Sequence, residues 1–478
     1  MKILVVGGSA GGLIAAIMLG RAGHEVVVLE RERLEPAADV EAAAAEAFRA
    51  TAPQLAQPHV VLALCRQLMS ERLPDVYRAM LDAGVVEASL ASQMPASLPD
   101  RSARPGDERL TLLMTRRATI DWVLRRAAAV EPGVTLRGGE RVVGLRAVPG
   151  DPPRVVGVRT ERAELTADLV LDASGRRSAL DRWLDELGAR RSTTAVAECG
   201  LAYYSRQYRV RPGGVLPGPT TTRTVVPLDQ FVIGLWGGDN DTMQLGLVPL
   251  AVDRRFRPAR DPDVFTSALR TVPYYAAWLD GLEPITDVAV MGGLHNTLRR
   301  LVVDGRPVVL GLHVIGDSLC TTNPTFGRGL SMIMRNVSDL VEILDEHADD
   351  PLLQTHAVDR AIAENIEPWF ADQAVGDAEL LARLRHTVLG DPAPRPAPSG
   401  VDRITFAELR KASPVDPVAF RGYFTVMGML GRRPEDVYRD ARVIAAVRGA
   451  LAEMDGAPPM AQPTAEELLA ALSPGGGR

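Results

Sequence analysis

Four glycines in a row of six positions offer the first chemistry. They lie in Val5-Val6-Gly7-Gly8-Ser9-Ala10-Gly11-Gly12, directly after a short apolar run. A buried strand that turns on glycine into a helix presents free N–H groups and positive helix dipole to a phosphate. Gly7 suits the tight turn, and Gly12 lets the helix pack closely on the strand. Ser9 stands where the usual fingerprint has its middle glycine, and is small enough to keep a backbone approach open. A charge near such a helix end gains about 0.3–2 kcal/mol. Glu30 closes the next apolar run, eighteen residues after Gly12. An acid there accepts hydrogen bonds from ribose hydroxyls and disfavours a ribose 2′-phosphate. Gly7, Gly8, Ser9, Ala10, Gly11, Gly12, Glu30 and the adjoining Arg31 are therefore expected to bind a dinucleotide.

A second segment, about 300 residues on, narrows the dinucleotide. Ile315-Gly316-Asp317-Ser318 runs into Asn323-Pro324-Thr325-Phe326-Gly327-Arg328-Gly329. The preceding run is strongly apolar, so Asp317 is expected at the carboxyl end of a strand, where α/β sheets bind ligands. There it can accept hydrogen bonds from a ribityl chain. Pro324, Gly327 and Gly329 then open another helix, whose N–H groups suit the pyrimidine edge of a reduced flavin. The two segments together predict FAD.

In the order GxSxxG, acid, DxSG, GD, NPxxGxG, the chain resembles the FAD-dependent monooxygenases with the p-hydroxybenzoate hydroxylase fold. It is most similar to their actinobacterial branch that includes polyether epoxidases, and more distantly to flavin halogenases. The resemblance covers roughly residues 1–385. It implies further cofactor contacts from Arg49, Arg117, the backbone of Val142, Asp172 and Gly175. It also implies oxygen transfer through a C4a-hydroperoxyflavin, with NAD(P)H as electron donor. Three departures matter. The stretch between Glu30 and Arg49 is long and Ala-rich. His59 alone remains of a His-x-His. Asp172-Ala173-Ser174-Gly175 replaces the Asp-Gly that helps the classical hydroxylases use NAD(P)H, so a separate flavin reductase is an expected partner. Flavin halogenases of this fold use a lysine; here the only lysines are Lys2 and Lys411, and the Trp-x-Trp-x-Ile-Pro segment is missing.

The elements that must position these residues can be read along the chain. Residues 3–6, 13–21 and 25–30 form strand, helix and strand of a Rossmann-like unit. Helices are expected over 39–50, within 53–85 and over 119–130, and a strand over 110–115. Thr135-Leu136, 141–148 and 154–159 read as short antiparallel strands, and 165–171 as a buried strand ending at Asp172. From 199 to 289 alternation of period two marks a half-buried sheet. Tyr203, Tyr204, Tyr208, Phe231 and Trp236 are candidates for its ligand-facing side. Residues 307–315 read as one strand, 330–344 as the helix after it, and 351–385 and 406–455 as helical. The expected fold is α/β: a Rossmann-like FAD domain from 1–190 and 290–348, an inserted substrate-binding sheet domain over 191–289, and a C-terminal helical region over 349–478 with a Pro-rich loop at 390–400.

Composition bounds the rest. The chain of 478 residues is 46% apolar with net charge -6, which disfavours a nucleic-acid partner. Cys65, Cys199 and Cys320 are isolated, which suits a reducing cytoplasm, and no metal spacing is present. No apolar run is long enough to span a bilayer. The function expected is hydroxylation or epoxidation of a mostly apolar natural-product intermediate, with no acid–base pair that marks a catalytic side chain. The alternatives are a flavin-dependent reductase of the geranylgeranyl-reductase type, then a halogenase or a non-catalytic flavin- or metabolite-binding protein. The oligomeric state is not legible.

Overall fold

The structure, a computed structural model, describes residues 1–46, 53–394, 400–431, 433–454 and 461–473. Its centre is a parallel sheet of five strands: β1 (Lys2–Val6), β2 (Glu25–Glu30), β3 (Val134–Gly138), β4 (Leu169–Asp172) and β5 (Leu312–Val314). Their spatial order is β5-β4-β1-β2-β3. The helix α1 (Ala10–Arg21) links β1 to β2, and α2 (Arg117–Val130) precedes β3. The long α3 (Gly329–Glu346) packs against α1 on the same sheet. β1 and α1 are almost wholly buried because α1 has covers on several sides, which accounts for its apolar sequence all round.

A second, antiparallel sheet is built from the strands Arg223–Pro227, Val232–Gly237, Thr242–Val248, Tyr203–Val210 and Leu282–Pro284, in that spatial order. Its two faces differ. Ile233, Leu235, Met243, Leu245 and Leu247 pack on one side with Phe256, Phe265 and Trp278 from covering helices. Tyr203, Val232, Val248, Met291 and Leu294 form a smaller apolar cluster on the other. The C-terminal part of the chain reaches back to this sheet, since Leu468 and Leu472 join the first of these cores.

Several expected elements are divided differently. Val134–Gly138 pairs in parallel with β2, not in an antiparallel group, because α2 crosses over before it. The antiparallel group is instead Val142–Val148, Arg154–Thr160 and Glu164–Thr166. The run at 165–171 is two strands, separated where the Asp168 carboxylate accepts from Lys2 N–H (2.7 Å). The run at 307–315 also breaks, at Gly311 (φ +69°), where an added Cβ would lie 2.4 Å from the Val155 carbonyl oxygen. The helix expected over 39–50 is described over Val40–Ala45, with Asp39 as its N-cap. Helices Pro262–Arg270 and Pro273–Asp280 cover the second sheet, and the strand pattern around them concealed both. Their signals are present: a Pro in the first turn of each, and an Asp261 cap before the first.

His313 in β5 is buried, and its Nε2 has no partner among the described residues. Burial pushes its pKa down from 6.5 to about 4. The unfolded chain therefore binds this proton at higher pH than the folded chain does. The stability it contributes is complete above pH 6.5 and is lost as pH falls toward 4. Denaturation midpoints are expected to fall across that window, with up to about 3 kcal/mol from this group. His313→Gln should flatten the slope; an unchanged slope would contradict the assignment.

Candidate functional site

The carboxyl ends of β1, β2, β4 and β5 open into one long groove made of two adjoining clefts. They are similar in extent, with about 1130 and 1260 Å³ of space counted out into the open solvent at their mouths. Ser9, Ala173, Gly175, Arg176 and Asp317 line both, so the clefts meet there. The first extends to Glu30, Arg31 and Val142. The second extends past Arg117, His59 and Leu62 to Pro324, Phe326, Gly327 and Gly329, and then to Arg223, Trp236, Met291 and Leu294.

The β1–α1 turn is shaped by contact. At Gly7 (φ +111°) a Cβ would stand 2.5 Å from the Ala173 carbonyl oxygen, and at Gly12 it would stand 1.9 Å from that of Gly7. Gly8 N–H donates to Glu30 Oε2 (2.8 Å) and Glu32 N–H to Oε1 (3.0 Å), which fixes the Glu30 carboxylate at the cleft wall. Ser9 is the N-cap of α1 but makes no side-chain cap bond, so the first-turn N–H groups are left for another acceptor. The helix α3 also begins without a side-chain cap, with Gly329 on the second cleft. Two uncapped helix N-termini thus serve the same groove.

The expected binding residues divide into two sets. Gly7, Ser9, Gly11, Glu30, Arg31, Arg117, Val142, Gly175, Asp317, Pro324, Gly327 and Gly329 line one cleft or both. Gly8, Ala10, Gly12 and Asp172 line neither and act from behind. Asp172 is buried and accepts from Ser174 N–H (2.9 Å) and from the hydroxyls of Ser174 and Ser178, so it shapes the turn after β4. Arg49 lies outside the described residues. Among the aromatic candidates only Trp236 lines the cleft. Tyr204, Tyr208 and Phe231 belong to the far core, because period-two alternation turns them away. Tyr203 faces the near side but is buried, donating to Asn323 Oδ1 (2.5 Å).

Charge in the groove is arranged around Arg117 and Asp317. Arg117 is nearly buried; its Nε donates to Asp121 Oδ1 (2.9 Å) and its Nη2 to Ser9 Oγ (3.3 Å). Burial raises the Asp317 carboxyl above its ordinary range, while Arg117 and Arg176 pull it down. His59 Nδ1 lies 2.9 Å from the Gln57 carbonyl oxygen, which only accepts, so the proton sits on Nδ1. Burial, then the charge of Arg117, lowers the His59 pKa to about 4, which leaves the ring neutral at neutral pH.

Two buried networks that motif reading missed hold the walls. Asn323 N–H donates to Asn296 Oδ1 (2.6 Å), and both Asn side chains donate to Asp377 (2.7 and 2.6 Å). Asp377 lies on α4 (Glu367–Leu389), so this helix fixes the Asn323-Pro324 turn. Burial raises the Asp377 pKa to about 6. In the second network Asp239, fully buried, accepts from Arg116 N–H (2.6 Å), Arg116 Nε (2.8 Å) and Thr119 Oγ1 (2.7 Å). This ties the second sheet to the start of α2, beside Arg117. Neither network had a signal in spacing, because the partners are far apart in sequence.

No protein-family model matches the chain. A Mycobacterium tuberculosis protein, Rv3254, is 27% identical over 444 residues, covering 87% of this chain and 86% of its own length. Among solved structures, the flavin-dependent brominase Bmp2 superposes with a TM-score of 0.61 at 16% identity, over 96% of this chain and 100% of its own. PqsL from Pseudomonas aeruginosa, a probable FAD-dependent monooxygenase, gives 0.56 at 15% identity, over 82% and 100%. A flavoprotein/dehydrogenase from Cytophaga hutchinsonii gives 0.60 at 12% identity, over 96% and 100%. The chain shares the fold of these flavoproteins. Among the described residues no group of His, Cys, Asp and Glu is placed to hold a metal ion, and no helix is long and apolar enough to cross a membrane.

The buried pair of Arg116 and Asp239 carries a direct test. Asp239→Asn leaves the Arg116 guanidinium with the half-exposed Glu41 as its remaining carboxylate partner. Urea denaturation is expected to show a loss of about 3 kcal/mol. A change below about 0.5 kcal/mol, the size of an ordinary surface substitution, would contradict the role assigned.

Proposed function

We propose that this chain is an FAD-dependent oxidoreductase of the monooxygenase type, hydroxylating or epoxidising a mostly apolar small molecule. The observation that carries the reading is the continuity of the groove. It runs from a fixed carboxylate at Glu30, past two uncapped helix N-termini and Asp317, to an apolar wall on a second sheet. That is the order of groups an extended FAD needs: ribose acceptor, anion site, polyol acceptor, ring site.

In this reading Glu30 takes the adenosine ribose, with Arg31 and the Val142 backbone near the adenine. The first-turn N–H groups of α1 take the pyrophosphate, and Arg117 adds its charge beside them. Gly7, Gly8, Ala10 and Gly12 hold that turn in shape, and Asp172 and Gly175 shape the opposite wall. Asp317 accepts from the ribityl chain. The backbone of Pro324 to Gly329 faces the pyrimidine edge, where the N-terminus of α3 favours negative charge. Arg49 is proposed as a further cofactor contact. When bound, the flavin supplies two-electron redox chemistry and reactivity toward oxygen.

The chain's own task is to bind, orient and exclude water. Met291, Leu294, Trp236 and Phe326 give the far end of the cleft an apolar lining. Neutral His59 and Pro58 line the same cleft without introducing a proton donor of ordinary imidazolium strength. The parts are then residues 1–190 with 290–348 for the cofactor, 191–289 for the substrate sheet, and 349–478 as helical support. NAD(P)H is the proposed electron donor, through a separate reductase, given Ala173-Ser174 in place of the shorter Asp-Gly turn. The likeness to a brominase does not extend to its activity here, since Lys2 and Lys411 line neither cleft.

Two measurements test the proposal. Glu30→Gln and Asp317→Asn are each expected to weaken FAD binding about tenfold, the value of one charged hydrogen bond. Reduced, FAD-loaded protein should consume oxygen with its substrate and place one labelled oxygen atom in the product. Conversion of substrate by the reduced protein without oxygen would overturn the monooxygenase reading in favour of a reductase.

A further inference from the structure

Gly376 stands in the interior of the 23-residue helix α4, where glycine is the least favoured residue after proline. It is not among the glycines with positive φ, so backbone conformation does not require it. Space does. Among the described residues, a Cβ there would meet one heavy atom within 4 Å beyond its own stretch of helix: Phe326 Cζ, at 3.3 Å. The missing side chain leaves a gap that the tip of the Phe326 ring enters.

That ring separates two spaces. Phe326 lines the second cleft of the groove. Gly376 and Phe406 line a further cavity, and the Phe406 ring centroid lies 5.1 Å from that of Phe326. This cavity has about 1040 Å³ of space counted out into the open solvent at its mouth, close to the extent of either cleft. Ala371, Val375, Phe406 and Pro434 give it a largely apolar lining, and Val375 is exposed to solvent. Most charges around it are engaged. Asp372 accepts from Arg328 Nη2 (2.6 Å) and the Tyr438 hydroxyl (2.5 Å), and Arg403 Nε lies 3.2 Å from Glu435. Arg433 is exposed, and burial raises the carboxyl of the remaining Glu379 above its ordinary range.

The ring is held more loosely than the backbone that carries it. Thr325 N–H and hydroxyl both donate to Asn323 Oδ1 (3.0 and 2.5 Å). Arg328 is fixed by Asp372 and by the Trp369 carbonyl oxygen (3.0 Å). Between these two anchors Phe326 is half-buried and precedes Gly327 (φ +74°). Its ring makes only face and edge contacts: Phe406, Gly376 and the Arg328 guanidinium carbon, 4.9 Å from its centroid.

We propose that Phe326 is a gate, and that the cavity behind it takes the aliphatic tail of an elongated substrate whose reacting end lies in the second cleft. When the ring turns away from Gly376, cleft and cavity become one passage, while Thr325 and Arg328 keep the backbone in place. An opening the width of one ring, with apolar walls beyond it, suits a flexible chain of methylenes. The apolar substrate of the proposed function thereby gains a head and a tail. The inference rests on that reading for which cleft receives substrate, but the tail subsite is testable without it.

The test uses the full-length protein, with and without added FAD, and two uncharged probes: 4-ethylphenol and 4-heptylphenol. Calorimetric titration is expected to show the heptyl probe binding at least about a hundredfold tighter, since each buried methylene is worth roughly fourfold. The two probes should compete, because their rings share the cleft. Val375→Arg, at an exposed position of the rear cavity, should cut the heptyl advantage at least about tenfold and leave 4-ethylphenol unchanged. Phe326→Ala should keep the advantage and speed association of the heptyl probe severalfold in stopped-flow mixing. Equal binding of the two probes, binding of neither, simultaneous binding of both, or a heptyl advantage that survives Val375→Arg intact overturns the proposal. So does unchanged association in Phe326→Ala, which would make the ring plain packing. If FAD does not bind but the Val375-dependent advantage persists, the proposed function falls and this subsite stands. If FAD binds and the advantage is absent, the reverse holds.

Discussion

Gly12 meets the carbonyl oxygen of Gly7 so closely that its hydrogen occupies the only space left. A Cβ there would stand 1.9 Å from that oxygen. This contact seats α1 on β1, and much of the remaining geometry follows from it. It sets the angle at which the helix N-terminus meets the groove. It brings Gly8 N–H to the Glu30 carboxylate, so that the end of β2 and the start of α1 are fixed to each other. It also lets α1 lie close enough to α3 for Ile333 to approach Gly11. The two helices whose free N–H groups face the cavity therefore have a common datum.

The other walls are fixed by buried polar groups, not by apolar packing. The turn after β4 is organised by Asp172 and its serine donors. The Asn323-Pro324 turn is held by Asn296 and Asp377, and the second sheet by Asp239 and Arg116. Such networks add little net stability when complete, but leaving one partner unpaired in a low dielectric is costly. They make the loops single-valued. For a groove proposed to hold a long cofactor and a small molecule in a fixed relation, that matters more than additional apolar area.

The sequence carried the groove better than it carried the sheet around it. Glycines that admit no side chain, an acid at a strand end and a helix opened by proline leave local marks, and twelve of the expected binding residues line the groove. Asp172 was legible in place but not in orientation, because its short side chain satisfies itself on neighbouring serines. The aromatic candidates failed on register. In a two-faced sheet apolar residues occur on both faces, so Tyr204 and Trp236 look alike until the face next to the cleft is known. Val134–Gly138 was misplaced because nearness in sequence suggested a hairpin, whereas its partner, β2, lies about a hundred residues earlier. Asp239 and Asp377 left no mark because their partners meet only in the fold.

Whether the groove holds FAD along its length is decided by one measurement. Purified protein mixed with excess FAD and then separated from free ligand gives the direct measurement. The prediction is one flavin per chain, with the visible bands of oxidised flavin shifted from those of the free molecule. Protein that emerges without flavin bands, while remaining folded by circular dichroism, would contradict the central claim.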